Sequence, residues 1–146
     1  MRERKTGMTR AGLLGVLLFM FGIAGAGAHK RRVPEKRITE TGRIVTLYAL
    51  ILSSRISANV EVCAGDRDPR GAIALPSFFA LRFQDGSSIL PSPSLTRRPA
   101  LNITPLKAKQ CARGWLDFAV TPNKKPTAVE YHERSADKKP IEWPVR

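Results

Sequence analysis

The sequence predicts an all-β domain, built as a sandwich or a barrel and exported behind a cleaved signal peptide. Three observations support this prediction. The first residues combine basic, apolar and small side chains in the order typical of a signal peptide. Roughly seven short runs of apolar and β-branched residues follow, separated by turn residues. After this leader, no amphipathic pattern with a helical period extends over about 10 residues.

The predicted signal peptide covers residues 1–28. Four basic residues precede an apolar run over residues 11–24, and small residues follow, so that cleavage is expected after Ala26 or Ala28. An uncleaved membrane anchor is the alternative, but the apolar run is about 14 residues long and a spanning helix needs roughly 20. We therefore expect a secreted chain, extracellular or in the cell envelope, with no membrane span after signal cleavage.

Residues 29–42 are charged and contain Pro34, which indicates a flexible basic lead-in to a domain over residues 43–146. The apolar run 44–52 suits a buried strand, although periodicity alone leaves a short helix open. Apolar and polar residues alternate over residues 57–63, as in a strand. Residues 65–76 have the composition of a loop.

The second half of the chain predicts further strands. Residues 78–83 form one, and Asp85-Gly86 after them is a turn signal, because glycine accepts the positive φ that hairpin turns require. Four prolines then allow only short edge strands near 88–90 and 100–103. Residues 111–120, 127–132 and 141–145 complete the set, with Asp117 directed outward. The predicted core residues are Leu81, Phe83, Leu116, Phe118, Val129 and Tyr131.

The two cysteines, Cys63 and Cys111, lie 48 positions apart. In an oxidising compartment such a pair is most simply one disulfide. A metal site or a reactive thiol is the alternative. The chain has only two histidines and no Cys-x-x-Cys motif, so it offers few ligands for a closed metal shell.

Several motifs share an order with a known group of domains. They are Asn59-Val-Glu-Val-Cys63-Ala-Gly65, Phe79-Ala-Leu81 with Asp85-Gly86, and Cys111-Ala-Arg-Gly114-Trp115-Leu-Asp-Phe118. Over residues 58–146 the chain resembles the telokin-like, immunoglobulin-type secreted domains of bacteria, many of unknown function. The resemblance implies an immunoglobulin-like antiparallel β-sandwich of about seven short strands, in which the matched cysteines pair. It implies an exported location and no established chemistry.

After signal cleavage the chain is strongly basic. Its 118 residues carry 21 lysines and arginines against 11 acidic residues, a net charge of +10. Such a charge favours anionic partners. The bases are dispersed, however, and neither stacking aromatics nor a basic helix accompanies them, so we expect no specific nucleic-acid partner.

The sequence shows no catalytic constellation. A hydrolase needs a nucleophile, a base and an orienting group held together. His29 lies beside the cleavage point, and His132 lies on the solvent-facing side of its strand with Glu130. Asp66 and Asp68 lie in a loop with neighbouring arginines and lack the other ligands of a calcium loop. We therefore expect a protein that is not an enzyme and has no metal or cofactor.

Four residues are candidates for partner binding: Trp115, Trp143, Arg97 and Arg98. Trp115 has the opposite parity from the apolar residues of its strand, so it should lie on the outer face or rim. It could pack beneath a loop or beside the disulfide. Alternatively, it could anchor a partner, because tryptophan is enriched in binding hot spots.

These observations predict a secreted, non-catalytic binding or interaction module. Its partner would be another exported protein or an anionic polymer of the cell envelope. The alternative is a basic domain that binds polyanions mainly through charge, with an affinity that collapses between low and physiological salt. An enzyme or enzyme inhibitor is a third interpretation, without a constellation to support it.

Overall fold

The structure, a computed structural model, describes residues 29–66, 72–133 and 139–145, with the backbone alone described for 29–33. These residues form eleven strands and one 3-10 helix, Pro76–Phe78. The strands are β1 His29–Ile38, β2 Ile44–Leu52, β3 Ile56–Cys63, β4 Ala72–Ala74, β5 Phe79–Phe83, β6 Ser88–Ile89, β7 Ser92–Pro93, β8 Thr104–Leu106, β9 Cys111–Phe118, β10 Pro126–Tyr131 and β11 Ile141–Pro144. The predicted all-β class is confirmed, whereas the predicted signal peptide lies outside the described residues.

The named strands form three antiparallel sheets. A five-stranded sheet has the order β1-β2-β3-β9-β7, and a four-stranded sheet has the order β11-β10-β5-β6. The short strands β4 and β8 pair with each other. Neighbours distant in sequence, such as β3 and β9, thus become adjacent in space.

One hydrophobic core cluster joins the two larger sheets. The five-stranded sheet contributes residues such as Val45, Val60 and Leu116, and the four-stranded sheet contributes Leu81 and Val129, all with no exposed surface. All six predicted core residues, Leu81, Phe83, Leu116, Phe118, Val129 and Tyr131, are buried, which confirms that prediction. Alternation along the strands identified them because successive side chains point to opposite faces of a sheet.

The N-terminal segment differs from the prediction. Residues expected to be a flexible lead-in instead form β1, which pairs with β2 from His29–Leu52 to Ile38–Ile44. A turn connects the two strands, with Gly42 at φ 84° and its N–H donating to the Thr39 carbonyl. Strands pair through backbone groups, and charged side chains are common on edge strands. The side-chain composition of this segment therefore did not indicate a strand.

The proline-containing segments also differ in detail. The predicted loop 65–76 contains β4 and leads into the 3-10 helix. A strand was expected near 100–103, but Ala100 forms only an isolated parallel bridge with Trp115, and the strand begins at Thr104. Pro99 and Pro105 have no N–H to donate to a ladder, which limits these segments to short pairings.

The Asp85-Gly86 turn forms as predicted, between β5 and β6. Gly86 has φ 81°, and its N–H donates to the Phe83 carbonyl. The Asp85 carboxylate accepts hydrogen bonds from the Ser87 hydroxyl and backbone N–H, and Lys124 Nζ lies 3.1 Å away. The two hydrogen bonds from Ser87 and, to a smaller extent, the contact with Lys124 lower the pKa of Asp85 to about 2.

Candidate functional site

The disulfide predicted between Cys63 and Cys111 is present. The two cysteines are directly opposed across β3 and β9, so the bond crosses between neighbouring strands of one sheet. They lie on the outer face, defined here as the side of the five-stranded sheet turned away from the core cluster. Cys111 is exposed, and the Cys63 Sγ lies 3.8 Å from Glu61 Oε1.

The side chains around the two cysteines bear on the alternative of a metal site. One oxygen of Glu61 and the two sulfur atoms lie within 4.8 Å of one another. The sulfurs are bonded to each other, however, and a metal ligand requires the thiolate form. In the oxidised protein, Cys63 and Cys111 therefore act as a cross-link.

Trp115 lies on the outer face of β9, as its parity predicts, and is partly buried. The Arg97 guanidinium carbon lies 5.0 Å from the centroid of the Trp115 ring, within the range of a cation–π contact. The Trp115 backbone holds the chain around Arg97: its N–H donates to the Pro99 carbonyl, and its carbonyl accepts from Ser94 and Leu101. Trp115 and Arg97 thus come together, with Arg98 exposed beside them.

A second arginine–aromatic pair lies on the same face. The Arg113 guanidinium carbon is 3.6 Å from the centroid of the Tyr48 ring, and Arg113 Nε donates to Asn59 Oδ1 at 2.8 Å. The Tyr48 hydroxyl donates to Glu61 Oε1 at 3.0 Å. This bond to Glu61, with partial burial, raises the pKa of Tyr48, and the charge of Arg113 opposes the rise.

We call the surface formed by Tyr48, Arg97, Arg113 and Trp115 the arginine–aromatic face. Arg113 and Trp115 are two residues apart on β9, so their Cα atoms are about 7 Å apart and project to the same side. In the described part of the chain, no carboxylate lies within salt-bridge distance of Arg97, Arg98 or Arg113. The Arg97 Nε is buried without a hydrogen-bond partner among these residues.

A buried polar layer lies next to this face. Asp117 was expected to point outward; it does lie on the outer face, but only 4% of its surface is exposed. Its carboxylate accepts hydrogen bonds from Ser57 at 2.7 Å and Ser94 at 2.8 Å, and Arg55 Nη1 lies 3.8 Å away. These partners compensate for its desolvation and, through Ser94, position the chain that carries Arg97.

Trp143 is located elsewhere. It was expected as a candidate partner-binding residue, but 1% of its surface is exposed and it belongs to the core cluster. Its Nε1 donates to the Glu35 carbonyl at 3.0 Å. The ring therefore has no surface to offer a partner. The alternation of Ile141, Trp143 and Val145 in the sequence was the signal that could have placed it in the core.

The histidine singled out by the sequence takes part in a polar network on the four-stranded sheet. His132 Nε2 lies 3.0 Å from Glu130 Oε2, and Glu130 Oε1 lies 3.0 Å from Arg82. Arg82 also donates to both oxygens of Glu142 at 2.8 and 2.9 Å, which raises its pKa. Glu130 and Glu142 are directly opposed, and Arg82 contacts both carboxylates, which offsets the repulsion between them. The network thus links side chains of β5, β10 and β11 across the four-stranded sheet.

Sequence reasoning did not single out Tyr48, Asn59 or Arg113. The shared parity of Arg113 and Trp115 was a usable signal for one of them. Tyr48 lies where the β2–β3 register shifts between Leu47 and Ala49, and such an irregularity is not visible in the sequence.

Comparison with protein-family models, with curated protein sequences and with solved structures finds no match to this chain. Among residues 29–66, 72–133 and 139–145, no helix has the length and apolar character needed to cross a membrane. The features established here are thus an all-β chain with antiparallel sheets, one disulfide, and the arginine–aromatic face.

Proposed function

We propose that this protein is a secreted, non-catalytic binding module that uses the arginine–aromatic face to bind anionic groups of an exported protein or of an envelope polymer. The observation that carries the proposal is the pairing of two guanidinium groups with aromatic rings, Arg97 with Trp115 and Arg113 with Tyr48. Stacking restricts the guanidinium before a ligand arrives, and guanidinium groups bind carboxylates and phosphates in bidentate geometry.

The proposal extends to fold and location. Two antiparallel sheets that share one core support an immunoglobulin-like sandwich, as does the order of the motifs in the sequence. Antibody domains place their disulfide between the two sheets, whereas Cys63–Cys111 joins neighbours within one sheet. The proposed likeness therefore concerns the sheet arrangement alone. The disulfide and the basic, apolar and small residues of the leader support export.

The second candidate function is polyanion binding through net charge alone. The whole chain carries 25 lysines and arginines against 12 acidic residues, a formal net charge of +13. A charge of this size attracts acidic polymers without a defined site. The two candidates differ in whether the position of each base matters, which makes them separable by substitution.

The test is the affinity for fluorescein-labelled dextran sulfate, measured by anisotropy over a series of salt concentrations. We expect Arg97→Gln with Arg113→Gln to weaken binding about tenfold or more, because each removes a positioned charge-assisted contact. The control is Lys125→Gln with Lys139→Gln, which removes the same charge from two exposed positions.

The outcomes separate the candidates. A large loss in the arginine variant and a small loss in the lysine variant would support a defined face. Equal losses in both variants would support binding through net charge. Failure of the parent protein to bind dextran sulfate at low salt would reject both forms of the proposal.

A further inference from the structure

Residues 95–100 form a loop whose two ends meet on one residue of β9. The N–H groups of Ser94 and Leu101 both donate to the Trp115 carbonyl, at 3.1 and 3.0 Å. The Ser94 hydroxyl accepts from the Arg97 N–H at 3.0 Å and donates to Asp117. The base of the loop is therefore fixed to β9, beside the arginine–aromatic face.

This loop presents an apolar side chain next to two bases. Leu95 is 80% exposed, the largest value among the exposed large hydrophobic residues of the described chain. Arg97 follows two residues later and stacks on Trp115, and Arg98 is exposed. A single exposed leucine is ordinary, but here it lies within three residues of two arginines and beside a half-buried tryptophan.

The charge around the loop has one sign. Between Asp85 and Asp117 the sequence contains five bases and no acidic residue; the bases are Arg97, Arg98, Lys107, Lys109 and Arg113. Asp117, which accepts a hydrogen bond from Ser94 at the base of the loop, is 4% exposed and is also held by Ser57 and Arg55. Lys109 lies 3.6 Å from Asp66, whereas Arg97, Arg98 and Arg113 have no carboxylate within salt-bridge distance in the described part of the chain.

We propose that loop 95–100 docks the protein on an anionic lipid surface, with Leu95 at the acyl boundary and Arg97 and Arg98 on lipid phosphates. This proposal rests on the proposed function, because it assigns the anionic groups at the arginine–aromatic face to lipid headgroups. Basic residues near an anionic leaflet gain from its surface potential, and tryptophan rings favour the headgroup level.

Leu95 favours a lipid surface over a soluble polyanion. A soluble acidic polymer can neutralise the arginines but gives no apolar phase in which to bury a leucine. A bilayer offers both, and binding of peripheral proteins scales with buried apolar area together with electrostatic attraction. The lipid proposal therefore predicts a dependence on Leu95 that binding of a soluble polyanion lacks.

The test is cosedimentation of the mature protein with vesicles of phosphatidylcholine containing about one-third phosphatidylglycerol, with pure phosphatidylcholine vesicles for comparison. We expect binding to the anionic vesicles alone. Leu95→Ser should weaken it about tenfold, and Arg97→Gln with Arg98→Gln should weaken it at least as much. Trp115 emission should shift to shorter wavelength on binding, while the buried Trp143 contributes a constant background.

Two matched controls accompany these variants. Ile38→Ser removes another exposed apolar residue, 67% exposed and on β1, where the neighbouring Arg37 is paired with Glu35. Lys125→Gln with Lys139→Gln removes two exposed charges from positions outside loop 95–100. Both controls should retain most of the vesicle binding. Losses of vesicle binding equal to those of the loop variants would contradict the proposed role of loop 95–100.

Parallel titrations with dextran sulfate distinguish this inference from the proposed function. Loss of vesicle binding in Leu95→Ser, with dextran sulfate binding unchanged, would support the lipid surface. Vesicle binding that is unaffected by Leu95→Ser, or is absent in the parent protein, would overturn the lipid proposal while leaving anion binding in place. If the arginine variants bind dextran sulfate as the parent does, the proposed function fails as well.

Discussion

Gly114 lies on the core-facing side of β9, where the chain returning from loop 95–100 comes closest to the strand. A Cβ atom at this position would lie 2.3 Å from the Leu101 nitrogen and 2.5 Å from the Ala100 carbonyl carbon. Both are backbone atoms held by the hydrogen bonds to Trp115. Any side chain here requires that backbone to move, so glycine is needed for close approach.

Replacing Gly114 with alanine should therefore lower the free energy of unfolding by about 1–3 kcal/mol, the usual range for overpacking. Urea denaturation followed by tryptophan fluorescence measures the change. We also expect the loop base to shift, so that the Trp115 emission of the folded variant differs from that of the parent. An unchanged unfolding midpoint would mean that the return of the loop is not fixed against β9.

At the scale of elements, the β3–β9 pair supports the candidate site. The eight residues from Ile56 to Cys63 pair with β9 in continuous register, ending at the disulfide. The outer side of this pair provides Asn59 beneath Arg113, as well as Ser57 and Asp117. Forming the pair from the unfolded chain requires closure of a long loop, which is entropically unfavourable.

Replacing both Cys63 and Cys111 with alanine should lower the free energy of unfolding by about 4 kcal/mol, on the chain-entropy model for a loop of 48 residues. Denaturant unfolding measures this loss. The parent protein treated with a reducing agent is the control, and it should unfold at a similar midpoint. Equal stability of the variant and the oxidised parent would exclude a stabilising role for the bond.

The strands with a strong alternating pattern could be predicted from the sequence, and the core residues Leu116, Phe118 and Val129 came with them. Two kinds of feature could not be predicted from the sequence. β1 pairs through its backbone, so its charged side chains concealed it. Asp117 was predicted to point outward, but its burial depends on Ser57, Ser94 and Arg55 from other elements.

Only part of the candidate site could be predicted from the sequence. Parity placed Trp115 on the outer face, and the proline and serine residues around Arg97 indicated a loop, but neither observation brings the two together. Their contact depends on the hydrogen bonds between Trp115, Ser94 and Leu101, which join residues far apart in the sequence. Composition and alternation carry no information on such contacts.

At the scale of the whole molecule, Trp143 connects the two larger sheets. Its ring is in the core cluster as part of β11, and its Nε1 donates to the Glu35 carbonyl of β1 in the other sheet. A buried tryptophan contributes a large apolar area, and its N–H normally requires a partner. Trp143 thus combines core packing with a polar contact between the sheets.

Replacing Trp143 with phenylalanine should lower the free energy of unfolding by about 1–3 kcal/mol, because the smaller ring leaves a cavity and the hydrogen bond is lost. Thermal unfolding followed by circular dichroism measures the difference. Trp115→Phe is the matched control, and its effect should be smaller, because Trp115 lies on the outer face. A larger effect in the control would contradict this role for Trp143.

The same contact with Glu35 also affects the free edge of the five-stranded sheet. β1 is ten residues long and ends the five-stranded sheet, and a long free strand edge is a template on which further chains can add. Its pairing register with β2 shifts between Arg32 and Glu35, around Pro34, which has no N–H to offer a neighbour. Because the Glu35 carbonyl is already engaged by Trp143, the middle of this edge lacks the regular row of free donors and acceptors on which fibrils grow.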